Sequence, residues 1–193
     1  MDKKIMICGA SGTGKTTLAK HMSELYELPY VSTSASKIWP EFGFKNHADS
    51  HAKSTSNKSI GIAYQSKILK ERIHALEKMN HYITDRGFVD NAVYIMMELG
   101  HFLNACELQT FMDWCSDSMK GVDGLIYLRW GDSIILEDNE NRIYSREFQA
   151  MTDALFNWVI YGGVIRTPSH LLELNMWDFE TRIKLVDRWV KHL

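Results

Sequence analysis

The sequence predicts an α/β fold, a central parallel sheet of five strands flanked by helices and closed by a short lid. Three observations lead there. Short apolar runs alternate along the chain with longer segments of helical periodicity. A glycine-rich run, Gly9-Ala10-Ser11-Gly12-Thr13-Gly14-Lys15-Thr16, joins the first strand-like run to the first helix-like one. An acid, Asp85, ends another apolar run, and open parallel sheets carry their ligands at such strand ends.

The elements follow in order. Lys3–Cys8 reads as a buried strand and Lys15–Tyr26 as a helix. Pro29–Ser32 reads as a second strand. Residues 42–59 are polar and weakly periodic, so they read as a long binding loop. Ser59–Met79 is helical, with Ile62, Leu69, Ile73 and Leu76 on one stripe. His81–Asp85 is a third strand, and Val89–Leu99 a helix ended by Gly100. Asn104 and Glu107 form a capping box that opens a helix to Met119. Gly124–Arg129 is a fourth strand, Ser145–Tyr161 a helix and Gly163–Arg166 a fifth strand. Asp178 caps the last helix, with Phe179, Ile183, Val186 and Val190 inward.

The 193 residues suit a single domain, residues 1–193, with a lid at about 131–146 and a polar substrate loop at about 42–59. With 45% hydrophobic and 24% charged residues the composition is that of an ordinary globular protein. A net charge of −2 gives no footprint for tight non-specific DNA binding. Cys8, Cys106 and Cys115 have no metal or redox spacing and read as reduced core residues. The apolar start at Ile5 is too short for a signal segment. No run approaches the ~20 residues that span a membrane. The expectation is a cytoplasmic protein without a membrane partner.

The glycine-rich run fits the phosphate-binding P-loop, G-x-x-x-x-G-K-[ST]. Its backbone N–H groups and the helix dipole face one phosphate chain. Residues Gly9, Ala10, Ser11, Gly12, Thr13, Gly14, Lys15, Thr16 and Thr17 are therefore the candidate ATP site. Lys15 reaches the β- and γ-phosphates, and the Thr16 hydroxyl reaches Mg²⁺.

Other candidates surround this site. Asp85 holds Mg²⁺ or accepts a proton from the acceptor, and Arg86 forks onto a phosphate. Arg142 and Arg146, four apart, share a helical face and either close over the phosphates or form ordinary surface ion pairs. Gln65, at the edge of an apolar stripe, reads a base edge or caps a neighbouring loop. Ser32, Thr33, Ser34, Ser36 and Lys37 lie at the binding rim as substrate contacts or helix caps. His47 and His51 are too few for a metal site. Trp39 and Phe42 are core residues or base-stacking platforms.

These residues resemble the small P-loop nucleotide kinases of the thymidylate kinase and deoxynucleoside kinase type, above all the short kinases of bacteriophages. The resemblance rests on GASGTGKTT at 9–17, YVSTSASK at 30–37, the helix with Gln65, TDRG at 84–87, the Arg142–Arg146 segment and RTPS at 166–169. It implies a P-loop NTPase fold, ATP and Mg²⁺ as cofactors, and γ-phosphate transfer to a deoxynucleotide, free or within DNA. It assigns catalysis to Lys15, Asp85, Arg142 and Arg146, and metal binding to Thr16 and Asp85. Substrate binding falls to Ser32, Lys37, Gln65 and Arg86, and a homodimer stays open. Some phage proteins of this outline instead phosphorylate hydroxymethyluracil already built into DNA, in thymine hypermodification. Lys45, Lys53 and Lys58 would then line a DNA channel, in a host's cytoplasm if the chain is phage-encoded. A non-kinase P-loop NTPase is the third reading. Under either kinase reading, Lys15→Ala is expected to abolish γ-phosphate transfer while the circular dichroism spectrum stays that of the folded protein.

Overall fold

The computed structural model describes residues 2–131, 134, 145–176 and 178–193. Arg142 and most of the 131–146 lid segment lie outside them.

Strand β1 (Lys4–Cys8) lies between β2 (Tyr82–Thr84) and β3 (Gly124–Leu128), and β4 (His170–Leu174) completes the order β2-β1-β3-β4. Every pairing is parallel, with Met6 opposite Thr84 and Leu125, and Cys8 opposite Tyr127. The pleat sends alternate side chains to opposite faces. Ile5 and Ile7 pack with Leu18, Ala19 and Met22 of α1 (Lys15–Tyr26) and with Val186 and Val190 of α8 (Phe179–Val190). Met6 and Cys8 face the other way. That core holds Val89, Ala92 and Val93 of α5 (Phe88–Leu99), Cys115 of α6 (Ala105–Ser118) and Phe156 of α7 (Arg146–Tyr161). Burial on both faces is why the strands read as unbroken apolar runs.

The sheet has four strands among the described residues, where five were expected. Pro29–Ser32 contributes one parallel bridge, Tyr30 to Ile83, with Val31 N donating to Ile83 O and Ile83 N to Pro29 O, each at 2.9 Å. Gly163–Arg166 is not a strand. Gly163 takes φ 67° in a turn after α7, and the edge strand forms four residues beyond Arg166, at His170. Its His170-Leu171-Leu172-Glu173-Leu174 pattern is only half-buried, so no alternation announces it.

The expected polar loop at 42–59 is largely helical. A 3₁₀ turn (Ala35–Ile38) and α2 (Trp39–Phe42) precede α3 (His47–Ser56), and α4 (Lys58–Glu77) follows. Asn46 caps α3 by accepting from Asp49 N at 2.9 Å. The helix carries no apolar stripe; its buried face is Ser50 and Ser54. Small polar residues let it lie close to α4 at Gly61. The capping box of α6 forms as expected, with Asn104 and Glu107 exchanging 2.9 Å bonds. Asp178 likewise accepts from Thr181 N at 2.7 Å and opens α8. No helix of the described residues is long and apolar enough to cross a membrane.

A Cβ on Gly61 would meet the Ser54 carbonyl oxygen at 2.7 Å and Leu99 Cδ2 at 2.4 Å. Gly61→Ala should destabilise the fold by about 1–3 kcal/mol, the range for overpacking a tight contact. Urea unfolding checks this as a lowered midpoint with an unchanged slope.

Candidate active site

The P-loop leaves the end of β1 and enters α1. Gly9, Gly12 and Gly14 take φ of 135°, 84° and 86°, a left-handed backbone that L side chains rarely adopt. A Cβ on Gly9 would also stand 2.2 Å from the Leu128 carbonyl oxygen, so β3 presses directly on the loop. The Lys15 ammonium folds back onto the loop and donates to Gly9 O at 2.8 Å and Ala10 O at 2.6 Å. Burial, followed by the nearby Arg86 charge, pulls its pKa down to about 7. Thr13 Oγ1 donates to Ala10 O at 2.9 Å, and Ser11 N donates to Gln149 Oε1 at 2.9 Å.

Strand β2 ends one residue before Asp85. The Thr16 hydroxyl donates to Asp85 Oδ2 in a short contact, so the P-loop and the end of β2 meet oxygen to oxygen. Two hard oxygen donors at the mouth of a phosphate loop are a suitable donor set for Mg²⁺, which binds one or two protein oxygens and completes its shell with water and phosphate.

Beyond Asp85 opens a cavity of about 290 Å³. Arg86 lines it and is held by Asp90 Oδ1 at 3.0 Å, while Asp90 Oδ2 accepts from Gly87 N at 2.9 Å. Gln65 lines it too and donates to Glu98 Oε2 at 2.7 Å. Its far wall is Trp39, His47 and Tyr64, with Trp39 Nε1 donating to the Tyr64 hydroxyl at 2.9 Å. Burial, then the Arg86 charge, then His51 lower the His47 pKa to about 4, so that imidazole is neutral at pH 7.

The structure therefore brings Lys15, Thr16, Asp85, Arg86 and Gln65 to one rim. Ser32 and Lys37 line a separate cavity of about 160 Å³, where Lys37 Nζ donates to Ser32 O at 2.7 Å. Ser34 and Ser36 line the larger cavity. Arg146 is the exposed first residue of α7, one helical turn from Gln149 and so on the face that touches the P-loop. Arg129, at the end of β3, is engaged by Asp153 at 3.0 Å and Glu173 at 3.1 Å. Phe42 packs on Phe44 and Tyr64. Of the loop lysines, Lys53 pairs with Asp49 and Lys58 with Glu107, each at 2.9 Å, and Lys45 is exposed. Cys8 and Cys115 are buried as expected, while Cys106 is exposed on α6. Among the described residues no group of His, Cys, Asp and Glu is suited to hold a metal on its own.

A family model described as an AAA domain, AAA_28, matches residues 4–155. The chain belongs to this family. Among solved structures it resembles deoxyadenosine kinase from M. mycoides with bound dATP, at 16% identity and TM-score 0.68, over 98% of this chain and 99% of that one. The same kinase with bound dCTP matches at 18% identity and TM-score 0.65, over 98% of this chain and 100% of that one. NadR protein in complex with NR matches at 13% identity and TM-score 0.67, over 97% of this chain but 51% of that one. These likenesses establish an α/β P-loop NTPase fold.

The sequence alone did not single out several residues that support the site. Arg72 is buried in α4, donating to Thr33 Oγ1 at 3.1 Å, to Gly87 O at 2.7 Å and to Asn91 Oδ1. It thereby ties the segment after Tyr30 to the turn after Asp85. Arg182 of α8 donates to Thr13 O at 2.8 Å and to Met176 O at 2.7 Å, bracing the P-loop from behind. Gln149 does so from the front. The available signal was a polar residue interrupting an apolar helical stripe, the same signal that marked Gln65.

Only protonated Lys15 attracts phosphate. With an empty-site pKa of about 7, raised once an anion neutralises the ammonium, nucleotide binding at pH 8 must take up a proton. ATP affinity should fall as pH rises above 7, by up to about tenfold per unit. Titration calorimetry in buffers of different ionisation heats reads the uptake, and zero uptake at pH 8 would contradict it.

Proposed function

We propose that the protein is a P-loop kinase that transfers the γ-phosphate of ATP to a deoxynucleoside monophosphate. One observation carries this reading. Asp85 touches Thr16 of the phosphate loop, and the next residue, Arg86, lines the 290 Å³ cavity. A single dipeptide thus joins a nucleotide-triphosphate site to a second, nucleotide-sized cavity. A simple NTPase has no use for the second cavity.

In this mechanism the P-loop N–H groups and Lys15 hold the β- and γ-phosphates of ATP. Thr16 and Asp85 would hold Mg²⁺, which when bound neutralises charge on the β- and γ-oxygens. Arg86, already aimed by Asp90, forks onto the acceptor phosphate and sets it in line. Arg146, on the α7 face that touches the P-loop, supplies further positive charge; Arg142 lies outside the described residues. Trp39 and Tyr64 exclude water from the acceptor end.

A phosphate acceptor suits the cavity better than a hydroxyl. A hydroxyl needs a free general base. The carboxylates described at this rim are engaged: Asp85 by Thr16, Asp90 by Arg86 and Gly87, Glu98 by Gln65. A monophosphate is already an anion and needs an arginine, which is present. Transfer to a base in DNA is less supported, because Lys53 and Lys58 are paired with carboxylates.

The test is labelled γ-phosphate transfer from ATP to deoxynucleoside monophosphates, deoxynucleosides, and DNA with and without hydroxymethyluracil. Label on monophosphates is expected. Label on DNA alone would overturn this reading in favour of a DNA-modifying kinase, and acceptor-independent hydrolysis alone would leave an NTPase. Asp85→Asn should raise the Mg²⁺ concentration for half-maximal rate about 10–100-fold.

A further inference from the structure

The peptide group between Ala10 and Ser11 is held at both ends by side chains. Its carbonyl oxygen accepts from the Lys15 ammonium at 2.6 Å and from Thr13 Oγ1 at 2.9 Å. Its N–H donates to Gln149 Oε1 of α7 at 2.9 Å. A trans peptide is planar, with its C=O and N–H pointing in opposite directions, so fixing one end fixes the other. The Ser11 N–H therefore faces α7, and the Ala10 carbonyl faces the ammonium.

The neighbours of that plane leave it free to turn. It lies between Gly9 and Gly12, at φ 135° and 84°, and glycine rotates at small steric cost. Lys15 and Thr13 belong to the loop and move with it. Gln149 holds the plane from outside the loop. It is 1% exposed and stands on a helix whose Phe156 and Val159 are packed in the core. Arg182 of α8 also reaches the loop, but it grips the Thr13 carbonyl at 2.8 Å and not the one that receives Lys15. The bond to Ser11 also accounts for an amide on the buried face of α7, where a side-chain oxygen needs a donor.

We propose that Gln149 is a positioning residue for Lys15. By holding Ser11 N it keeps the Ala10 carbonyl turned onto the ammonium, and so keeps that ammonium where the β- and γ-phosphates arrive. Without the hold the peptide turns and the carbonyl leaves. The lysine then gains other positions, which a bound phosphate must exclude at an entropic cost. The proposal rests on the loop being an ATP site and not on which acceptor is used.

Gln149→Met keeps the length of the side chain and removes the acceptor. Amide hydrogen exchange read by NMR should show Ser11 slow in the wild type, with and without ATP, and about tenfold faster or more in Gln149→Met. The same variant should bind ATP about 2–10-fold more weakly by calorimetry, the worth of one hydrogen bond. In a Lys15→Ala background the substitution should cost ATP nothing further, because the group it positions is gone. An unmoved exchange rate or an unmoved ATP affinity would overturn the proposal. So would an equal further loss in Lys15→Ala, the mark of a role in packing alone. If Gln149→Met does not fold, the wild type decides. A Ser11 amide that stays protected with ATP bound supports the hold, whereas one that loses protection is used by the nucleotide and not by α7, which would also overturn it. Should the wild type bind no ATP, the reading of the loop as a nucleotide site fails by itself and the proposal falls with it.

Discussion

The register of β1 between its two parallel neighbours is the constraint on which the rim depends. Met6 lies opposite Thr84, the last residue of β2, and Cys8 opposite Tyr127 near the end of β3, so the carboxyl ends of both neighbours flank the point where β1 turns into the P-loop. That alignment places Asp85 against Thr16, and it brings Leu128 so close to residue 9 that only glycine fits there. A shift of one residue in β2 would turn Ile83 from one core to the other and carry Asp85 out of reach. Two hydrophobic cores of opposite facing therefore fix the geometry of two oxygen atoms.

A second layer of constraint is electrostatic. Lys15, Arg72, Asp90 and Glu98 are all buried beside this rim. Burying a charge is unfavourable unless bonds to it replace those of water. Each charge here has such bonds, and each holds something else in place. Lys15 is bonded to loop carbonyls that close the P-loop around it; Asp90 aims Arg86; Arg72 joins three segments of chain. Losing one member of such a buried set removes its bonds and strands its partners, so the effects of substitution at this rim are not additive.

How legible this was in the sequence follows from the same physics. The P-loop was legible because strand, glycine spacing, Lys15 and Thr16 are local to one another. So was the alternation of strands and helices, and the Asn104–Glu107 box formed where the sequence put it. Asp85 and Arg86 could be placed at a strand end, but their contact with Thr16 depends on sheet order. Helix α3 was misread because its inward face is serine, which carries no hydrophobic periodicity. Edge strand β4 was misread because one face of an edge strand stays half wet. Arg72 interrupts the apolar stripe of its helix, but that signal does not by itself tell a buried charge from a solvated one, and the same holds for Glu98. Only the packing of α4 on α5 does that.

The fold alone does not choose between a kinase and a switch, since P-loop domains serve both. The choice lies in what stands across from the phosphate loop. A switch needs a segment that senses the γ-phosphate and moves. A kinase needs a second site whose ligand is brought to the γ-phosphate in line and shielded from water, because water is the competing acceptor. Here the cavity that Arg86 joins to the Thr16–Asp85 contact is lined by Trp39, Tyr64 and Gln65. The aromatic cluster around Tyr64 also pins α2 and Phe44, which precedes α3, to α4. The polar segment 42–59, which the sequence reads as a binding loop, thus contributes His47 and Ser50 to the cavity wall. Rigid walls at the acceptor end leave any closing movement to the opposite side, where α7 begins at Arg146 and Gln149 already touches the P-loop.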